Sequence, residues 1–173
     1  MKTQDVYLIS PSTVKAMTPI NLNVTDDILS YAVRNAQDMR LRFIIGEDIL
    51  NSLKTKAEQK IKVGTEIEEP YNTLLYDYVI PYLAAETVVE VCMPMTFKIR
   101  NIGVAKNNDT NVETQPINEV LRVKNYYEGV ACDAANRLSD YLGENAKDFP
   151  ELNGKCCCCK IKKHYAAIGL YLG

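Results

Sequence analysis

The sequence predicts a mainly α fold: a four-helix bundle with a β-hairpin insert between helices three and four and extended terminal arms. Three observations predict it. Residues 70–92 and 116–143 carry apolar side chains at helical spacing over long stretches. Between them, residues 95–115 alternate apolar and polar and then fill with turn formers. At the N-terminus, Pro11 and Pro19 interrupt short apolar pieces and exclude a continuous helix. The chain then divides into an extended arm over 1–24, a helical domain over 25–150 holding the insert, and a tail over 151–173.

Each element has its own local cause. The arm alternates Val6 to Ile9, Ser10-Pro11-Ser12, Thr18-Pro19 and Ile20 to Val24, with room for one helical turn over 13–17. Thr25-Asp26-Asp27 suits a helix start, because Thr caps and carboxylates favour the positive helix end. Ile28, Ala32, Ala36, Met39 and Phe43 then mark an inner face, and Gly46 ends the helix. Glu47-Asp48 opens a second helix with Ile49, Leu50, Leu53, Ala57 and Ile61 inward, followed by a polar loop over 62–69. Pro70 suits the first turn of the third helix, whose face is Leu74, Leu75, Tyr78, Val79, Tyr82, Leu83, Val88, Val89 and Val91. Pro81 should kink it, and Met93-Pro94 should end it. The insert is read as one arm over 95–105, a turn over 106–111 and a return over 112–115. Ile117, Val120, Leu121, Tyr127, Ala131, Ala134, Ala135, Leu138 and Leu142 face inward on the fourth helix, and Gly143 ends it.

Composition narrows the function. The 173 residues are 47% hydrophobic and 24% charged, enough to build a core. A net charge of −2 gives no general basic excess for gripping nucleic acid. Eleven tyrosines, three phenylalanines and no tryptophan suit half-buried and interfacial positions. No basic segment followed by an apolar core opens the chain, and the apolar runs are short against a membrane span. These features predict a soluble protein of intracellular origin with its six cysteines as thiols.

No chemistry stands out. Four consecutive cysteines, 156–159, cannot converge tetrahedrally on one zinc ion. Only Cys156 and Cys159 have knuckle spacing, and a second pair is lacking in sequence reach; Cys132 and His164 could complete a site only after folding. The βαβ context of a redox motif is absent. His164 is the only histidine and has no visible catalytic partner. Glu86 and Glu90 share a helix face one turn apart, more in keeping with surface or interface charge than with an acid pair. Gly64, Gly103 and Gly129 stand alone and form no phosphate loop. The tail is basic after Glu151, with Lys155, Lys160, Lys162, Lys163 and His164, and could pair with an acidic neighbour or touch phosphates. The expectation is therefore no enzyme, no cofactor and no metal. A small intracellular nucleic-acid-binding regulator using this tail is the alternative.

The order of pieces carries a resemblance. Asn21-Leu22-Asn23-Val24 leads into a helix ending Ile45-Gly46. A short helix follows, then a Tyr-rich helix from Tyr71 through Tyr76 and Tyr78 to Pro81. The ribbon Asn101-Ile102-Gly103-Val104 comes next, then a long helix ending Tyr141-Leu142-Gly143-Glu144-Asn145 before Phe149-Pro150. Over about residues 20–150 this resembles the head–tail connector (adaptor) proteins of tailed bacteriophages, most closely those of crAss-like phages. The cysteine-rich tail departs from that pattern. The resemblance implies a virion structural protein: a ring, commonly of twelve copies, between portal and tail, with double-stranded DNA passing through its lumen. The implied partners are copies of itself, the portal protein, further tail or ring proteins and, transiently, that DNA. The implied location is the head–tail junction of the virion, after synthesis in the host cytoplasm. A near-neutral chain would let DNA slide through such a lumen. The expected interface residues are Tyr7, Ile9, Leu22 and Val24 on the arm, Phe97, Ile99, Ile102 and Val104 on the ribbon, and Lys160, Lys162, Tyr165 and Tyr171 on the tail.

Overall fold

The computed structural model describes residues 6–100, 103–106 and 117–152. It contains five continuous helices among these residues, one more than expected. Helix α1 is Pro11–Met17, α2 spans 26–45, α3 is Glu47–Val63, α4 is Tyr71–Thr96 and α5 is Ile117–Glu144. Short 3₁₀ turns, Ala146–Asp148 and Pro150–Leu152, follow α5.

Mainly α stands, but the four-helix bundle with a hairpin insert over 95–115 does not. Helix α4 runs through Pro94 to Thr96. Proline near a helix end removes only one backbone bond, and Thr96 Oγ1 donates to the Cys92 carbonyl at 2.8 Å to help close the last turn. Of the predicted turn over 106–111 only Lys106 is described, paired with Phe97, and the return at 112–115 lies outside the described residues. What pairing exists joins Phe97–Arg100 to Gly103–Lys106, within the stretch expected to form a single arm.

The N-terminal segment is not an extended projection either. Ser10 caps α1 by accepting from the Thr13 amide at 3.1 Å, with Pro11 in the first turn where its missing N–H costs nothing. Leu8, Ile9 and Val14 are buried in the main core. Lys15 donates to the Leu22 carbonyl at 3.0 Å and to Asp26 at 2.7 Å, tying the segment to the start of α2.

Helix α4 is the centre, packing against α1, α2 and α5. Residues 82–89 are all buried, as a helix enclosed by its neighbours requires. Phe149, fully buried, meets the Tyr71 ring edge-on at 5.3 Å, and Tyr78 stacks on Tyr141 at 4.4 Å. These contacts seal the end of α5 onto the start of α4.

Two helices contain wide π-helical turns, Ala36–Leu41 in α2 and Leu74–Val79 in α4. Each lies within a row of buried residues. In α2, Leu29, Val33, Gln37, Leu41 and Ile45 are all buried. In α4, so are Tyr71, Leu75, Val79, Leu83, Thr87 and Val91. A strict interval of four would drift by about 40° per step on a 3.6-residue helix. A wider turn holds the row to one side. In α4 that segment directly precedes Pro81, which the helix passes without ending.

The π turn also corrects the predicted face of α2. Met39 and Phe43 are 69% and 54% exposed, because the extra residue carries them outward while Gln37 and Leu41 turn in. Ile61, expected inward on α3, is exposed because the last turn of that helix runs beyond the core. On α5, Ala131 to Leu142 face inward as expected, whereas Ile117 and Leu121 are exposed.

Candidate assembly surface

Helix α5 changes character along its length. Its C-terminal half is ordinarily amphipathic, with Ala131, Ala134, Ala135, Leu138 and Leu142 buried and Asp133, Arg137, Asp140 and Glu144 outside. Its N-terminal half exposes apolar side chains interleaved with the polar Asn118, Glu119, Arg122, Asn125 and Glu128. Ile117, Leu121, Val123, Tyr126 and Val130 are all exposed, between 37% and 67%. Tyr126 and Tyr127 meet edge to face at 5.3 Å, which stiffens the stripe. Met93, near the end of α4, is exposed as well.

An ion-pair cluster on α2 and α4 fixes the framework beside this half-helix. Arg40 Nε lies 3.2 Å from Glu90 and 3.6 Å from Glu86. Glu86 is only 8% exposed. Burial pushes its carboxyl above the ordinary range; the Arg40 charge opposes that, and Glu90 and Glu128 reinforce it. The hydrogen bond to Glu90 holds the Arg40 guanidinium charged. Burial, with the Glu86 charge beside it, also raises the Tyr82 hydroxyl. On α5, Lys124 pairs with Glu128. The Glu86–Glu90 pair read from the sequence thus serves as an anchor for Arg40.

Two further anchors hold the ends. Gln37, 1% exposed, accepts from the Leu8 amide at 2.8 Å and donates to the Val6 carbonyl at 3.0 Å. Glu151 accepts from Ser52 and, with both oxygens at 2.8 Å, from the Tyr71 hydroxyl. Burial raises the Glu151 carboxyl, but these hydrogen bonds and nearby Lys56 outweigh it and leave it below its ordinary range. Lys56 sits over the Tyr71 ring at 4.4 Å.

The expected interface residues fare differently. Ile9 is 3% exposed and belongs to the core, so it offers no surface to a neighbour. Tyr7 and Val24 are half-buried against the core clusters, and Leu22 is 76% exposed. Phe97, Ile99 and Val104 lie in the paired segments. Ile102, Lys160, Lys162, Tyr165 and Tyr171 lie outside the described residues, as does the cysteine run. Cys92 and Cys132 are thiols, and burial raises the Cys92 group. The N-terminal half of α5 was missed as a surface: Ile117 and Leu121 were expected to face inward and are exposed.

Among the described residues, no group of three His, Cys, Asp or Glu side chains could hold a metal ion. Helix α4 is long and apolar enough to cross a membrane, against the expectation that no segment would be; 56% of its most apolar window is buried inside the fold.

Fold and surface together define a small α-helical protein with apolar side chains exposed on the flanks of its core helices. The chain belongs to a family of unknown function, DUF6712, whose model matches residues 41–162. No curated protein matches it, and no solved structure matches it.

Proposed function

We propose that this protein is a virion structural component, an adaptor that forms a ring between the portal and the tail of a tailed phage. Two things support the reading. One is the order of sequence pieces over 20–150 that resembles head–tail connectors. The other, which carries it on the structural side, is the N-terminal half of α5, whose exposed apolar side chains call for enclosure by a partner. A head-to-tail contact with rotational closure turns such a surface into a ring, here of twelve copies by the resemblance. The partners are then further copies, the portal protein and the tail or ring proteins below, with DNA passing transiently through the lumen. No bond-making step, cofactor or metal enters this role, and the chain resides at the head–tail junction after synthesis in the host cytoplasm.

The test is electron microscopy of purified full-length chain mixed with the portal protein, together with mass spectrometry of the virions. Rings stacked on the portal and a virion copy number near twelve per particle are expected. Absence from virions, with no ring on the portal, overturns the reading. A monomer or dimer whose DNA affinity falls steeply with salt would replace it with the regulator.

A further inference from the structure

We infer that the short ribbon formed by Phe97–Arg100 and Gly103–Lys106 meets the phosphodiester backbone of duplex DNA with the face that carries Lys98 and Arg100. The inference rests on the ring reading, which brings DNA past the chain, and names the residues that meet it.

The ribbon follows α4 without a break: Thr96 closes the helix and Phe97 opens the first strand. Its antiparallel register pairs Phe97 with Lys106, Lys98 with Ala105, Ile99 with Val104 and Arg100 with Gly103. Directly paired residues share a face, and successive residues alternate between faces. One face therefore holds Lys98 and Arg100 opposite two small residues, Ala105 and Gly103. The other holds Phe97, Ile99 and Val104 together with Lys106. Lys98 and Arg100 stand two residues, about 7 Å, apart along the strand, a step comparable with that between successive phosphates of a nucleic-acid strand.

Charge identifies the chemistry of the ligand. The chain as a whole is acidic, at −2, yet no Asp or Glu lies between Glu90 and Asp109, and residues 97–106 hold three cations, Lys98, Arg100 and Lys106. Cations set opposite small residues suit a polyanion that approaches the backbone closely. A duplex is favoured over a single strand because the Lys98–Arg100 face has no aromatic residue among its paired positions on which an unpaired base could stack; Phe97 falls on the other face. So few charges per copy make the contact weak and independent of base sequence. DNA can still slide past it.

Fluorescence anisotropy of a labelled, mixed-sequence DNA duplex with the full-length chain in dilute salt reads the contact. Lys98→Glu with Arg100→Glu should weaken duplex binding at least about tenfold, with the helical circular dichroism unchanged. Lys98→Ala with Arg100→Ala should lower the slope of log affinity against log salt by about 2. Lys98→Arg with Arg100→Lys should bind as the original chain does, and Lys160→Glu with Lys162→Glu, on the tail, should change little. Full duplex affinity in the Lys98→Glu, Arg100→Glu chain overturns this contact, as does a loss that follows the tail lysines instead. Tighter binding to single-stranded DNA or to phosphatidylserine vesicles than to the duplex also overturns it. Rings that still stack on the portal in any of these cases leave the ring reading standing. Duplex binding that behaves as expected in a chain absent from virions removes the ring reading alone.

Discussion

Replacing Gln37 by Leu probes the connection between the N-terminal segment and the body. The side chain bridges the Leu8 amide and the Val6 carbonyl, and it is buried with Leu8. Leucine fills nearly the same volume, so the loss is the hydrogen bonding. An unpaired buried amide costs about 1–3 kcal/mol. The Val6 carbonyl is half-buried and regains water in part, so it adds about 1 kcal/mol or less. The sum, about 1–4 kcal/mol, is a large share of a typical domain's stability. The destabilised species should be one in which residues 6–17 detach while α3, α4 and α5 remain packed. Urea unfolding measures the total, and amide hydrogen exchange locates it: Leu8 and the α1 amides should lose protection while the α4 amides keep most of theirs. Unchanged Leu8 protection, or a loss under about 0.5 kcal/mol, would refute the bridging role.

Other perturbations have equally definite outcomes. Arg40→Ala should cost about 1–2 kcal/mol in urea unfolding, since it leaves Glu86 buried without its counter-charge while Arg40 itself is well solvated; adding Glu86→Gln should recover most of that. Glu86→Gln alone should stabilise the protein at pH 7, because a carboxyl raised by burial favours folding only while protonated; the gain should disappear below about pH 4. Glu151 has the opposite sign: its lowered value contributes stability above the ordinary carboxyl range that is lost as pH falls through the folded value. Glu151→Gln should therefore cost about 1–2 kcal/mol at pH 7 and little in acid, read from thermal melts across pH. Gly46 has φ 82° and ψ 164°, a conformation reserved for glycine, with open space around it. Gly46→Ala should cost about 1–3 kcal/mol from backbone strain alone, measured by the same unfolding assay.

Much of the helical body was legible. The inner faces of α4 and of the C-terminal half of α5 follow from apolar spacing alone, because each of those residues meets another helix. Met39 and Phe43 show where such reasoning stops. Spacings of three and four place them inside, and Ala32 and Ala36 are buried as expected; the π turn at 36–41 then carries Met39 and Phe43 outward. In the same turn Gln37 faces inward and reaches the backbone of residues 6 and 8, about thirty positions away, which no local pattern encodes. Ile9 was mistaken for surface because the proline-broken spacing around it looks like a projecting arm, whereas the capped turn at Ser10 folds it back. The insert failed for a related reason. Pro94 was read as a stop, but the helix continues two residues past it. The pairing then uses residues that alternation had assigned to one strand. For the candidate surface, the density of apolar residues over 117–130 was evident; that they outrun their neighbours is a matter of relative helix length.

The wide turn at 36–41 also has an evolutionary reading. It carries one residue beyond what a regular helix of that length holds, so it marks a seam at which the chain can gain or lose a position while both flanking segments keep their orientation.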